Sequence, residues 1–184
     1  NRQMIDKIDA ELLVTQADVD LSLSASRLSN ARRNDVRRVN GVADVGMMAF
    51  STGKLSTGSE ENTEISVDVS LIGVEPGKPG HPALLAGFPL ENKRGDEVIL
   101  DETLATPNGI EIGDVIVIKT IQGDEEEQFE LTVIGITDER AYFFQPAVFL
   151  PLYTWDEVRP QSTQSAGAPV ANVLAVQLTD PAEA

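Results

Sequence analysis

The stretch from Gly95 to Ile136 most constrains what this chain can fold into. It holds three β-type runs divided by glycine and acidic turns. The first run, EVIL, leads into a short helix-like DETLA. The second opens with Ile110-Glu111-Ile112, an alternating strand-like segment that breaks at Gly113-Asp114 and resumes as VIVI. An acidic tip, Asp124 to Glu127, divides it from the third run, FELTVIGI. Aliphatic and β-branched runs bounded by tight turns predict a small, closed, mostly antiparallel β-module. Nothing in it has the pattern of an active site.

The flanks read differently. Met4, Ile5, Ile8, Leu12 and Leu13 repeat at helical spacing over residues 2–14, which predicts an amphipathic helix. That helix either packs on the domain or forms a juxtamembrane stalk. Residues 18–26 alternate like a half-buried strand. A helix from Ser29 to Val39 follows, with Ser29 as N-cap and Asn40-Gly41 as its stop. Val42–Phe50 and Ile65–Val74 read as strands, joined by the polar segment 51–64 as a mobile hairpin loop. Four prolines and three glycines between Glu75 and Pro89 mark the crossing into the β-module. On the return, 147–153 reads as a strand and Thr154–Val158 as a helix. Thr154 is its expected N-cap, with Glu157 at capping-box spacing. A flexible loop over 159–169 and a strand over 172–178 follow, and Asp180-Pro181 opens a further helix. The expected class is α+β, a β-α-β-β subdomain with the mostly antiparallel β-module inserted. The expected parts are 1–16 (stalk), 17–76 with 146–184 (first subdomain) and 77–145 (insert).

Charge and composition narrow the function. A formal net charge of −16 and a pI near 4.3 argue against nucleic acid or an anionic membrane as a direct partner, because phosphate repels such a surface. Cysteine is absent, which excludes disulfides, zinc–thiolate sites and cysteine nucleophiles. No apolar run approaches the ~20 residues needed to span a bilayer, and residues 1–16 lack the parts of a signal peptide. The chain starts without Met and reads as an excised segment.

Catalytic patterns are missing. His81 is the sole histidine and sits in GKPGHPA as a turn residue. Gly77-Lys78-Pro79-Gly80 lacks phosphate-loop spacing, and its prolines remove backbone donors. Asp96-Glu97 and Asp101-Glu102 are adjacent pairs, whose side chains point to opposite strand faces. The Asp124–Glu127 run lacks calcium-loop spacing and reads as a solvated tip. No catalytic residue, metal ligand or cofactor is expected.

Two groups remain as candidate contacts. Segment 91–140 carries 14 acidic and 4 basic residues, whereas Arg27, Arg32, Arg33, Arg37 and Arg38 stand against Asp35 alone over residues 27–38. The arginines form either a solvated helix face or a contact with the acidic module, a neighbouring protomer or lipid headgroups. Tyr142, Phe143 and Phe144, with Phe149 and Tyr153, form either core packing between subdomains or a hydrophobic contact for a partner or an apolar ligand.

Taken in order, these segments resemble the extracytoplasmic (periplasmic core) domain of MacB/FtsX-like ABC transporter permeases. The resemblance rests on the N-terminal stalk, Asn40-Gly41-Val42-Ala43-Asp44-Val45 (Asn40 where the family has proline), SLIGVEP at 70–76 and LLAGFPL at 84–90. It continues through EVILDETLA, IGDVIVI, LTVIGI and PAVFLPLYTW at 146–155. The resemblance implies a non-enzymatic domain outside the cell membrane that couples ATP-driven transmembrane motion to export or extraction of a substrate, or to control of an extracytoplasmic partner. It implies a cytoplasmic ATPase subunit or domain as partner, a permease dimer, and protein or lipid-like cargo; the charge already argues for no nucleic acid. The other readings are a secreted or surface binding module unrelated to transport, and a carboxylate-based hydrolase.

Overall fold

The computed structural model describes residues 10–17, 26–57, 65–138, 145–161 and 171–180. Among them, one sheet holds β1 (Leu12–Val14), β2 (Val42–Thr57), β3 (Ile65–Val74), β4 (Leu84–Gly87), β5 (Glu97–Asp101), β6 (Val115–Gln122), β7 (Glu125–Thr137), β8 (Ala147–Pro151) and β9 (Val173–Leu178). Three helices, α1 (Asn30–Arg37), α2 (Glu102–Asn108) and α3 (Leu152–Val158), accompany it. The class is α+β, as expected. Strand pairing is antiparallel except for β3 with β8 and β5 with β7.

The sheet closes on itself. β2 pairs β3, β3 pairs β8, β8 pairs β5, β5 pairs β7 and β7 pairs β6. β6 then returns to β2 through Lys54–Ser56. The length of β2 makes this circuit possible. Its first part pairs β9 and its last part pairs β6, while β3 runs along its other edge from Met48. Closure gives these strands partners on both sides and removes the exposed ladder that an open edge would offer.

Alternation along the strands feeds two cores. Leu55, Leu71, Leu100, Ile118, Val133 and Leu150 belong to the first. Met48, Phe50, Ile72, Ile99 and Phe149 belong to the second, on the opposite face. The Pro/Gly segment lies over the second core. A Cβ on Gly80 would stand 2.8 Å from Met48 Cγ, and one on Gly46 would stand 2.0 Å from Pro79 O. This segment, expected as a crossing, is therefore also a cover. His81 secures it: Nδ1 donates to Pro82 O (3.0 Å) and Nε2 accepts from Leu90 N (3.3 Å), which fixes a neutral ring.

Several expectations need correction. The helical stripe does not extend through Leu12 and Leu13, which lie in β1 paired to β9; its earlier members, Met4, Ile5 and Ile8, lie outside the described residues. The β9 backbone supplies ladder partners, and Leu13 and Val14 each pack against a core. Strand 18–26 lies outside the described residues except Ser26. Residues 51–57 are not a loop: they continue β2, with Leu55 fully buried. Ile110–Ile112 is not a strand, because the Asp114 carboxylate accepts from Glu111 N at 2.8 Å and Gly113 takes φ 102°, closing a turn. β8 ends at Pro151, and α3 starts at Leu152. Thr154 is therefore inside the helix, where its buried hydroxyl donates to Gly95 O at 2.7 Å and accepts from Gly95 N at 3.0 Å. The DETLA helix forms as expected, with Asp101 accepting from Thr103 N at 2.8 Å and Gly109 closing it at φ 64°.

Candidate interaction surface

Arg32, Arg33 and Arg37 lie on α1, a helix with no fully buried residue, Arg38 is its C-cap and Arg27 precedes it; the four from Arg32 to Arg38 form the group at the helix. Ser29 precedes it in extended conformation, but its hydroxyl makes no capping bond. Val36 is the side chain of α1 that packs against the first core. Its C-terminal end closes through Arg38 N to Asp35 O, and Gly41, at φ 91°, turns the chain into β2.

The structure divides the four arginines. Arg33 turns inward, its Nη1 donating to Glu75 Oε1 at 2.9 Å, with the side chains 19% and 14% exposed. The other Glu75 oxygen accepts from Met47 N at 3.0 Å. This carboxylate thus ties α1 to both β2 and the end of β3. Arg32 lies 3.6 Å from Asp35 on the exposed side of the helix. Arg37 and Arg38 are exposed and make no ion pair among the described residues. Among the described residues the partner of Arg33 is Glu75, outside the acidic segment 91–140.

Beside this group Lys78 Nζ donates to Asp44 Oδ2 at 2.9 Å. Burial pushes the Asp44 carboxyl up, but the Lys78 ammonium, the Val45 N–H and the Arg37 charge together hold it below the usual carboxylate range. The strand ends meet here too. Thr179 N donates to Gly41 O at 2.8 Å, Glu11 N to Val176 O at 2.9 Å, and Leu178 N to Glu11 Oε2 at 2.7 Å.

Tyr142, Phe143 and Phe144 lie outside the described residues. Of their expected companions, Phe149 is fully buried in the second core and Tyr153 is 38% exposed on α3. Asp124–Glu127 is exposed, but the turn is Gly123-Asp124 alone: Glu125, Glu126 and Glu127 are already in β7, paired with Gln122, Ile121 and Thr120. Among the described residues no group of three or more His, Cys, Asp or Glu could hold a metal ion.

Sequence reading missed two surface features. Leu85, Phe88, Ile112 and Val115 are exposed, Phe88 by 70%. Ile112 reaches the β4 end, since a Cβ on Gly87 would stand 2.9 Å from its Cδ1. LLAGFPL was visible as a phrase, but the outward facing of Leu85 and Phe88, between Leu84 and Leu90 that pack in the second core, was not. A cleft of about 400 Å³ is lined by Lys54, Asp68, Lys119, Thr120 and Gln145, among others. Lys54 stands opposite Lys119 across β2–β6 and opposite Asp68 across β2–β3. These mixed charges carry no nucleophile–base arrangement.

The sequence matches the family described as MacB-like periplasmic core domain over residues 1–184. No curated protein matches it. Similar solved structures include the extracellular domain of the noncanonic ABC-type transporter YknZ from Gram-positive bacteria, at 16% identity and TM-score 0.60, covering 91% of this chain and 82% of that one. The periplasmic region of MacB from Actinobacillus actinomycetemcomitans is similar at 16% identity and TM-score 0.62, covering 98% and 78%. A domain of a putative permease from Porphyromonas gingivalis is similar at 18% identity and TM-score 0.54, covering 95% and 76%. At such identities the likeness is one of fold.

Proposed function

The chain belongs to the MacB-like periplasmic core domain family, and from that membership we propose that it couples ATP-driven transmembrane motion to export or extraction of a substrate, or to control of an extracytoplasmic partner. It is an extracytoplasmic domain of a MacB-like ABC transporter permease. ATP hydrolysis falls to a separate cytoplasmic subunit or domain. No described helix is long and apolar enough to cross a membrane.

The observation that carries the coupling is the pairing of β1 with β9. It sets the start of β1 beside the end of β9, as a domain held between two membrane segments requires. The expected stalk, residues 1–16, includes β1 (Leu12–Val14) and is to that extent built into the sheet. A displacement there reaches β9 through the β1 ladder and β2 through the β9 ladder. Hydrogen-bonded strands resist shear, so the motion enters the domain as a rigid displacement. Residues 17–76 with 146–184 form the membrane-proximal part and 77–145 the outer part, except that Lys78 and Pro79 pack on Asp44 and Gly46 of the membrane-proximal part. The return of β6 to β2 carries movement outward between them.

Membrane fractionation of the full-length native protein, with protease applied from the outer side, tests this reading. An integral protein cut within residues 1–184 from outside supports it. A protein released in soluble form removes the transport reading and favours a binding module.

A further inference from the structure

Five of the chain's fourteen cationic side chains fall between Arg27 and Arg38, although the formal net charge is −16. Arg33 is consumed by Glu75 and Arg32 by Asp35, while the nearby Asp44 is tied to Lys78. Arg37 and Arg38, at the C-terminal end of α1, remain exposed with no ion pair among the described residues.

Their position is informative. The Asn40-Gly41 turn that follows them is bonded to Thr179, just past β9, and Glu11, just before β1, bonds Val176 and Leu178. The entry to β1, the exit of β9 and both arginines therefore share one end of the sheet. The permease reading, on which this inference rests for orientation alone, turns that end toward the bilayer. We infer that Arg37 and Arg38 form a docking face for anionic lipid headgroups. Guanidinium suits this task, because its planar fork grips phosphate oxygens in pairs.

The acidic whole does not forbid the contact. β6 joins β2 at Lys54, twelve residues along the strand from Val42, or up to about 40 Å at strand rise. Screening at physiological salt acts over about 8 Å. The charges of the β6–β7 hairpin are thus largely hidden from a surface that meets Arg38.

Flotation of the 184-residue chain with phosphatidylcholine vesicles, with and without phosphatidylglycerol, at low and high salt, tests the face. The expected result is binding to the anionic vesicles alone, lost at high salt. Arg37→Gln with Arg38→Gln should weaken it by about fivefold per arginine. Lys93→Gln with Arg94→Gln should leave it unchanged, and circular dichroism checks that both variants fold. Absence of anionic binding, equal binding to neutral vesicles, or binding indifferent to Arg37→Gln and Arg38→Gln would each overturn the inference. Arginine-dependent self-association without vesicle binding would also overturn it, naming a second copy as the occupant. Failure here with an integral parent protein removes the arginine face alone. Binding here with a soluble parent removes the permease reading alone.

Discussion

Trp155 packs directly on Gly73: a Cβ built at Gly73 would stand 2.7 Å from both Cβ and Cγ of the tryptophan. The indole Nε1 donates to Leu71 O at 3.1 Å, and Trp155 is 4% exposed. α3 is thereby seated on β3, with its largest side chain in the first core. Gly73→Ala should cost about 2–3 kcal/mol by overpacking, because the ring cannot retreat from a close-packed interior. Gly95→Ala, where an added Cβ meets nothing within 4 Å, should stay within about 0.5 kcal/mol. Urea unfolding of the two variants checks this, and equal midpoints would refute the contact's importance.

Glu75 satisfies Arg33 and the Met47 N–H together. Glu75→Ala should cost about 2–3 kcal/mol, since it leaves a partly buried guanidinium and a backbone donor unpaired. Arg33→Met, which removes the cation and keeps the stem, should cost less. If the two cost the same, the carboxylate's bond to Met47 contributes nothing beyond the ion pair.

Much of this architecture was legible because it is local. The Ile65–Val74 strand and the DETLA helix with Asp101 before it follow from spacing and turn chemistry within a few residues. Barrel closure was not legible. Ser51 to Thr57 carries Leu55 as its single large apolar side chain and looks like a polar loop. It becomes strand because β3 and β6 supply ladder partners, those of β6 more than sixty positions away. β1 hid for a similar reason: Leu12 and Leu13 fit a helical stripe as well as a ladder, and the β9 edge decided. The arginine group was visible from composition. Its division was not, because the partner of Arg33 lies 42 residues away.

The Asp44–Lys78 pair gives a signed pH dependence. The Asp44 pKa is lowered in the folded state, with burial opposing and Lys78, the Val45 N–H and Arg37 prevailing. A depressed carboxyl stabilises the fold above its unfolded value of about 3.9, and that contribution disappears as pH falls through the folded value. Lys78→Met should therefore cost about 0.5–1 kcal/mol at pH 7, as a half-exposed pair does, and progressively less below about pH 4. Denaturation of wild type and Lys78→Met at matched pH values checks the sign. A cost that stays constant into acid would show that the lysine acts through packing.

Val133 and Glu126 lie on the same strand, β7, with opposite fates. Val133 is fully buried among first-core residues, while Glu126 is exposed near the hairpin tip. Val133→Asp would place a carboxylate among aliphatic side chains with no partner built for it, a cost of about 4 kcal/mol or more. That is a large share of the roughly 5–15 kcal/mol that holds a domain of ordinary stability. Because β7 pairs β4, β5 and β6, the damage should spread through the closed circuit and lower the whole melting transition. Glu126→Gln removes one charge from a crowded acidic run and should shift stability within about 0.5 kcal/mol. Thermal melts followed by circular dichroism separate the two. An unchanged curve for Val133→Asp would mean that β7 faces the other way, and with it the alternation that assigns every strand to its core.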